Sequence, residues 1–388
     1  MCTTIRAERL WDGTRLVDEP VVAIEDGRIA WMGARDESEI PAGARVEEFK
    51  GATLGPAFLD VHTHGAAGHD VMEATPEALR AIGGFLAAHG TGAYLATTVT
   101  APLDATLRSL EGLARLLALG AGEGEARLLG IHLEGPFLSH AKRGAHPPEY
   151  LLEPNIATFD RLYEAAKGKV RLMTLAPELP GAVELAAHAT GRGVRISVGH
   201  SNAKAAETRA VIAAGAVSAT HTYNAMRPLD HHELGILGTV LTDDALFAEL
   251  ICDGIHTAPE MVKLWWRAKG PGRAILITDA MSATGMPDGE YQLGGQNVQL
   301  AHGKVTLPGN VLAGSVLTMD LALRNCMEFT GAGLVEALRL ATANPAAMTG
   351  LGDEAGSLRV GAEANLVALD GRGGLVASFV KGKKVFGG

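Results

Sequence analysis

The feature that most limits how this chain can fold is a repeated alternation of two patterns. Eight short strand-like runs, at 57–61, 93–97, 128–133, 170–175, 194–198, 217–220, 247–251 and 274–278, are mostly followed by stretches with helical spacing. After Pro102, for example, Leu103, Leu107, Leu110, Leu113 and Leu117 recur three and four residues apart, which puts them on one helix face. Other helices are expected to open near Pro76, Ala157, Gly181, Ala203 and Ala258, with a last one over 317–329. Eight strand-then-helix units predict an α/β fold, a (β/α)8 TIM-type barrel.

The two ends of the chain follow a different pattern. Runs at 21–24 and 28–32 alternate around Asp26-Gly27, a strong hairpin signal, and runs at 356–360, 364–369 and 376–380 alternate in the same way. Residues 1–54 and 351–388 are therefore expected to form a small β-sandwich domain built from both chain termini, leaving 55–350 to the barrel. A glycine-rich insertion near 291–310 reads as one or two hairpins laid over the barrel mouth, in the position of a lid.

Hydrophobic residues make up 47% of the 388, enough for a large core. The net charge of -10 argues against nucleic acid or an anionic membrane surface as partner, since both need a basic face. A small anionic substrate needs only a local positive site. Cys2, Cys252 and Cys326 are scattered, so neither a disulfide framework nor a thiolate zinc cluster is expected. That usage, with no signal-like opening and no apolar run of ~20 residues, points to a cytoplasmic protein.

Barrel enzymes carry their chemistry where the strands end. Here the first run ends in Asp60, His62 and His64, the third in His132 and Glu134, and the fifth in His200. The sixth ends in His221, the seventh in Asp253 and His256, and the eighth in Asp279. Any one of these alone reads as a hydrogen-bonded structural histidine or a helix-capping aspartate. Six strand ends together read as a metal site. Imidazole and carboxylate without thiolate suit a divalent ion, Zn²⁺ first and Fe²⁺ as the alternative, with a position left open for water. Amide hydrolysis is the natural reaction for such a site, and Asp279 is placed to carry a proton from water to the leaving nitrogen.

A series of motifs then identifies a resemblance. Leu133-Glu-Gly-Pro-Phe-Leu138, Lys142-Arg-Gly-Ala-His146, Gly199-His-Ser-Asn202, Thr220-His-Thr-Tyr-Asn-Ala-Met226, Asp253-Gly-Ile-His256, Thr278-Asp-Ala280 and Leu312-Ala-Gly-Ser315 occur in this order. The chain resembles the N-acetylglucosamine-6-phosphate deacetylases of the amidohydrolase superfamily. The resemblance implies Glu134, His200 and His221 as ligands of the main metal, Asp279 as general base and acid, and His146 as the group polarising the acetyl carbonyl. It implies a substrate pocket of Ala145, His146, Asn224, Ala225, His256, Leu312, Ala313, Gly314 and Ser315, and a homodimer acting on an amino sugar.

In the segment Arg227-Pro-Leu-Asp-His-His-Glu-Leu-Gly235, His232 stands where the family usually has an arginine for the sugar phosphate. His231 with His232, a displaced Arg227, or an unphosphorylated substrate are the alternatives. The His62/His64 pair is absent from some family members. It bears on metal count: with Glu134 and Asp279 it would hold a second ion, giving one or two per chain. A cyclic amidase is the nearest rival, but its bridging lysine is missing from 171–178. An inactive sugar-binding protein is the remote alternative.

Overall fold

The computed structural model describes residues 2–35 and 43–387; residues 1, 36–42 and 388 of the expected terminal β domain lie outside the described residues. Eight parallel strands follow one another in order around the central sheet. They are β1 (Phe58–Thr63), β2 (Thr91–Thr98), β3 (Arg127–Glu134), β4 (Val170–Leu175), β5 (Arg195–Val198), β6 (Ala216–Ala219), β7 (Phe247–Ile251) and β8 (Ala274–Ile277). Each overlaps an expected run.

Strand alternation sorts the side chains. In β3, Ile131 and Leu133 join the apolar core shared with Leu110 and Leu113 of the helix Leu103–Leu119. His132 and Glu134 therefore point the other way. Closure falls between β1 and β8. Asp279 N–H donates to His62 O at 2.9 Å and His64 N–H to Ala280 O at 2.7 Å. Below them the Thr278 hydroxyl donates to Asp60 Oδ2 at 2.5 Å. Asp60, counted among the strand-end donors by sequence, thus ties the closing strands together.

The anticipated helices are present, and three more were not anticipated: Gly235–Thr242, Leu334–Ala341 and Ala343–Thr349. Gly235–Thr242 is apolar nearly all round, and residues 235–240 are all buried, so it has no polar face to produce a period.

The strands from the two termini form one continuous eight-stranded sheet. Its order runs Lys383–Phe386, Leu375–Val380, Leu366–Leu369, Arg45–Pro56, Thr3–Trp11, Pro20–Glu25, Arg28–Ala34, with Leu16–Asp18 paired to Thr3–Trp11. The expected run at 356–360 is not a strand. It crosses beside Asp12, held by Leu358 N–H to Asp12 O at 2.8 Å, with Val360 left exposed.

The insertion is a four-stranded antiparallel sheet of Gly289–Leu293, Gln296–Ala301, Lys304–Leu307 and Val311–Leu312. Its own apolar core of Leu293, Val298, Leu300 and Val305 packs with Val99 and Met281. Gln296 Nε2 donates to Ala145 O at 2.6 Å and Gly294 N–H to Asp70 Oδ2 at 3.1 Å, fixing the sheet over the barrel mouth.

Candidate active site

Two donor sets meet at the C-terminal ends of the strands. His62, His64 and Asp279 form one; Glu134, His200 and His221 form the other, and all are buried. Glu134 lies between them. Its Oε1 is 3.1 Å from His200 Nε2, 3.0 Å from His221 Nε2 and 3.4 Å from His62 Nε2. Its Oε2 is 3.2 Å from His64 Nε2 and 3.4 Å from His146 Nε2. Asp279 Oδ1 stands 3.1 Å from His64 Nε2 and 3.5 Å from His62 Nε2.

The outer hydrogen bonds assign the imidazole tautomers. His64 Nδ1 faces Thr97 O at 2.9 Å and His200 Nδ1 faces Lys142 O at 3.0 Å. A carbonyl only accepts, so both Nδ1 atoms carry the hydrogen and both Nε2 atoms turn bare lone pairs inward. His146 is the reverse. The backbone N–H of Thr100 donates to its Nδ1 at 3.2 Å, which leaves the hydrogen on Nε2, inside the pocket. His146 is therefore a hydrogen-bond donor among acceptors.

Lone pairs converging on carboxylate oxygens in a dry site repel unless a cation or extra protons lie between them. His200 Nε2 and His221 Nε2 approach to 3.0 Å, and His62 Nε2 is buried with no hydrogen-bond partner. With protons alone, burial works against charge on His64, yet hydrogen bonds to Asp279 and Glu134 outweigh it and push the imidazole up to about 9. Asp279 is held down to about 2, because the charge on His62 and the His64 hydrogen bond overcome its burial. Burial drops His200 to about 4, so it stays neutral. The donor set, nitrogen lone pairs with carboxylates and no thiolate, fits a divalent metal ion.

The backbone at these strand ends is unusual. His200, His221 and Asp279 have φ of 46°, 27° and 52°, in the left-handed region that non-glycine residues seldom occupy. Ser315 helps hold the last: its N–H donates to Asp279 O at 2.7 Å and its hydroxyl to Thr278 O at 2.6 Å. At Gly144 (φ 57°) a Cβ would lie 3.2 Å from His200 Cε1, so glycine lets the Lys142–His146 turn close over that ring.

A cavity of about 300 Å³ opens on the donors and is lined in part by Lys142, Ala145, Asn224, Ala225, His256, Leu312 and Gly314. The Asn224 amide nitrogen is buried without a partner. Asp253 Oδ2 accepts from His256 Nδ1 at 2.7 Å. Burial disfavours charge on His256, but Asp253 outweighs it and raises the imidazole above its ordinary value. Ala313 is buried in the core of the insertion, and it and Ser315 are behind the cavity wall. His232 is not brought to the cavity; it is exposed, its ring 3.9 Å from that of His231. Arg227 is turned to Asn202 O at 3.4 Å.

A larger cavity of about 410 Å³ lies at the opposite end of the barrel, near Ala57, Ala93 and Arg127. Another, of about 660 Å³, opens beside Gly68, Tyr291 and Gly295; volume would choose these two, but chemistry decides, because among the described residues the two donor sets meet at the 300 Å³ cavity. Two groups needed the structure to be read. His132 donates through Nδ1 to Val61 O at 3.2 Å and accepts the Thr174 hydroxyl at 2.8 Å, so it is a structural histidine and not a ligand. Glu249, in the middle of β7, is buried behind His62.

Comparison with known proteins agrees with this geometry. Residues 53–386 match the model of the amidohydrolase family. An N-acetylgalactosamine-6-phosphate deacetylase of Escherichia coli O157:H7 is 40% identical, over 95% of this chain and 96% of that protein. An N-acetylglucosamine-6-phosphate deacetylase of Bacillus subtilis is 36% identical, over 94% and 92%. The solved structure of a mutant N-acetyl-D-glucosamine-6-phosphate deacetylase from Mycobacterium smegmatis, in complex with N-acetyl-D-glucosamine-6-phosphate, superposes with a TM-score of 0.92 at 36% identity, covering 99% of each chain. Barrel, donor sets and pocket define a metal-dependent hydrolase, and the chain belongs to the amidohydrolase family. Within it, it groups with the N-acetylglucosamine-6-phosphate deacetylases.

Proposed function

We propose that this enzyme hydrolyses the N-acetyl amide of N-acetylglucosamine 6-phosphate, giving acetate and glucosamine 6-phosphate in amino-sugar catabolism. The observation that carries the reading is one pocket in which lone-pair donors, a buried carboxylate and the inward N–H of His146 face the same space. Glu134, His200 and His221 would hold the main divalent ion, Zn²⁺ first and Fe²⁺ as alternative. His62 and His64, with Asp279 and shared Glu134, would hold a second. When bound, such an ion acidifies water and polarises a carbonyl.

The chain's own residues supply the rest. His146 Nε2–H donates to the acetyl oxygen as negative charge grows there. Asp279 accepts the proton of the attacking water. As the new C–O bond forms and the C–N bond breaks, that proton passes to the nitrogen, which leaves as the amine. Asn224, Ala225 and Ala145, with Leu312 and Gly314, flank the sugar. The Lys142 ammonium, and His256, whose imidazole Asp253 makes more basic, are the groups for a phosphate, in place of His232.

A galacto-configured substrate is the second reading, favoured by the 40% identity to the N-acetylgalactosamine-6-phosphate enzyme. Measuring kcat/KM for N-acetylglucosamine with and without 6-phosphate, and for N-acetylgalactosamine 6-phosphate, separates the cases. The phosphorylated gluco sugar is expected to lead; preference for the free sugar would sink the phosphate assignment, and preference for the galacto sugar the epimer. The family resemblance also supports a cytoplasmic homodimer, to be checked by light scattering.

A further inference from the structure

We infer that Glu249 is a positioning residue for the second metal ion: it fixes the His62 ring so that Nε2 presents its lone pair beside Glu134 and Asp279. The inference rests on the two-ion reading given above.

Glu249 sits at the third position of β7, between Ala248 and Leu250 of the apolar core, and is fully buried. Its Oε2 is 3.4 Å from His62 Nδ1, and its Oε1 is buried with no partner. A buried carboxylate with so little compensation destabilises the fold, which an apolar residue of similar size would avoid. Among the described residues, its carboxylate's one hydrogen-bond contact is with His62. The other two histidines with assigned inward lone pairs are held by backbone carbonyls, Thr97 O for His64 and Lys142 O for His200. His62 alone among these three relies on a side chain. The acceptor facing its Nδ1 is that carboxylate, and a carboxylate accepting from Nδ1–H both fixes the tautomer and strengthens the ring as a donor.

The test uses full-length enzyme stripped of metal and titrated with Co²⁺, reading the Co²⁺ absorption spectrum and ions bound per chain. Wild type is expected to bind two ions. Glu249→Ala should bind the first as wild type does and the second about 10- to 100-fold more weakly, the usual cost of removing such a partner. Glu249→Gln, which keeps an acceptor oxygen without the charge, should recover part of that loss and still bind the second ion several-fold more weakly. If Glu249→Ala does not fold, the Gln variant alone decides. Second-ion affinity equal to wild type in the folded variants would overturn the inference, as would equal weakening of both ions, which marks a merely structural role. One ion in wild type itself would refute the two-ion reading, and this inference with it.

Discussion

The two donor sets reach the same point by different routes. Glu134, His200 and His221 come from the ends of β3, β5 and β6, and two of the three require left-handed backbone. Each such residue costs on the order of 1–3 kcal/mol, supplied by the fold around it. His62 and His64 need none of this, because strand alternation alone aims both; only Asp279, which barrel closure brings beside them, is left-handed in that set. The set that announces itself by spacing thus needs one left-handed residue where the other needs two, and it governs the second ion. The set assembled from scattered, strained positions carries the first.

Asp279→Asn tests whether this carboxylate acts on protons. It should lower kcat by about 10²- to 10⁴-fold, the usual contribution of a placed acid or base, while the Glu134 set keeps its ion. Turnover unchanged by this substitution would remove Asp279 from proton transfer. His62→Ala should have a smaller effect, releasing one ion of two by elemental analysis and reducing kcat while Glu134, His200 and His221 retain theirs. If loaded wild type holds a single ion and the variant matches it, the pair only braces the site.

The smallest effect lies outside both sets and sets the scale for an ordinary ion pair. Burial disfavours charge on Asp320, but hydrogen bonds from His89, at 3.2 Å, and Thr318 outweigh it and lower the carboxyl below 3.8. A lowered folded value means that the stability it contributes is present above the ordinary value and is lost as pH falls through the lowered one. Asp320→Asn should therefore cost less than about 1 kcal/mol at neutral pH and flatten the acid limb of thermal unfolding; an unchanged limb would show that the contact contributes nothing.

Much of this was legible beforehand, because strand and helix periods recur in the sequence itself. The eight barrel strands could be read that way, and so could the donors placed at their ends. Roles among those donors could not. Asp60, His132 and His200 look alike as letters, yet one closes the barrel, one bonds to Thr174 in the core, and one faces Glu134. Hydrogen-bond partners distant in sequence make the difference. Glu249 was missed because attention to strand ends skips mid-strand positions. The available signal was a lone charge in the apolar run Phe247–Ile251, in the same parity as Asp253. The helix Gly235–Thr242 had no period to find, and the loop carrying His232 is exposed, with nothing local to fix where its rings go.

Converging lone pairs make this a metal-dependent deacetylase. Acetate release from N-acetylglucosamine 6-phosphate, measured on enzyme as isolated, after chelation, and after Zn²⁺ or Fe²⁺ is restored, tests it most directly. Activity is expected to fall to background as metal is removed and to return with the added ion. Full acetate release from enzyme shown by elemental analysis to be metal-free would contradict it.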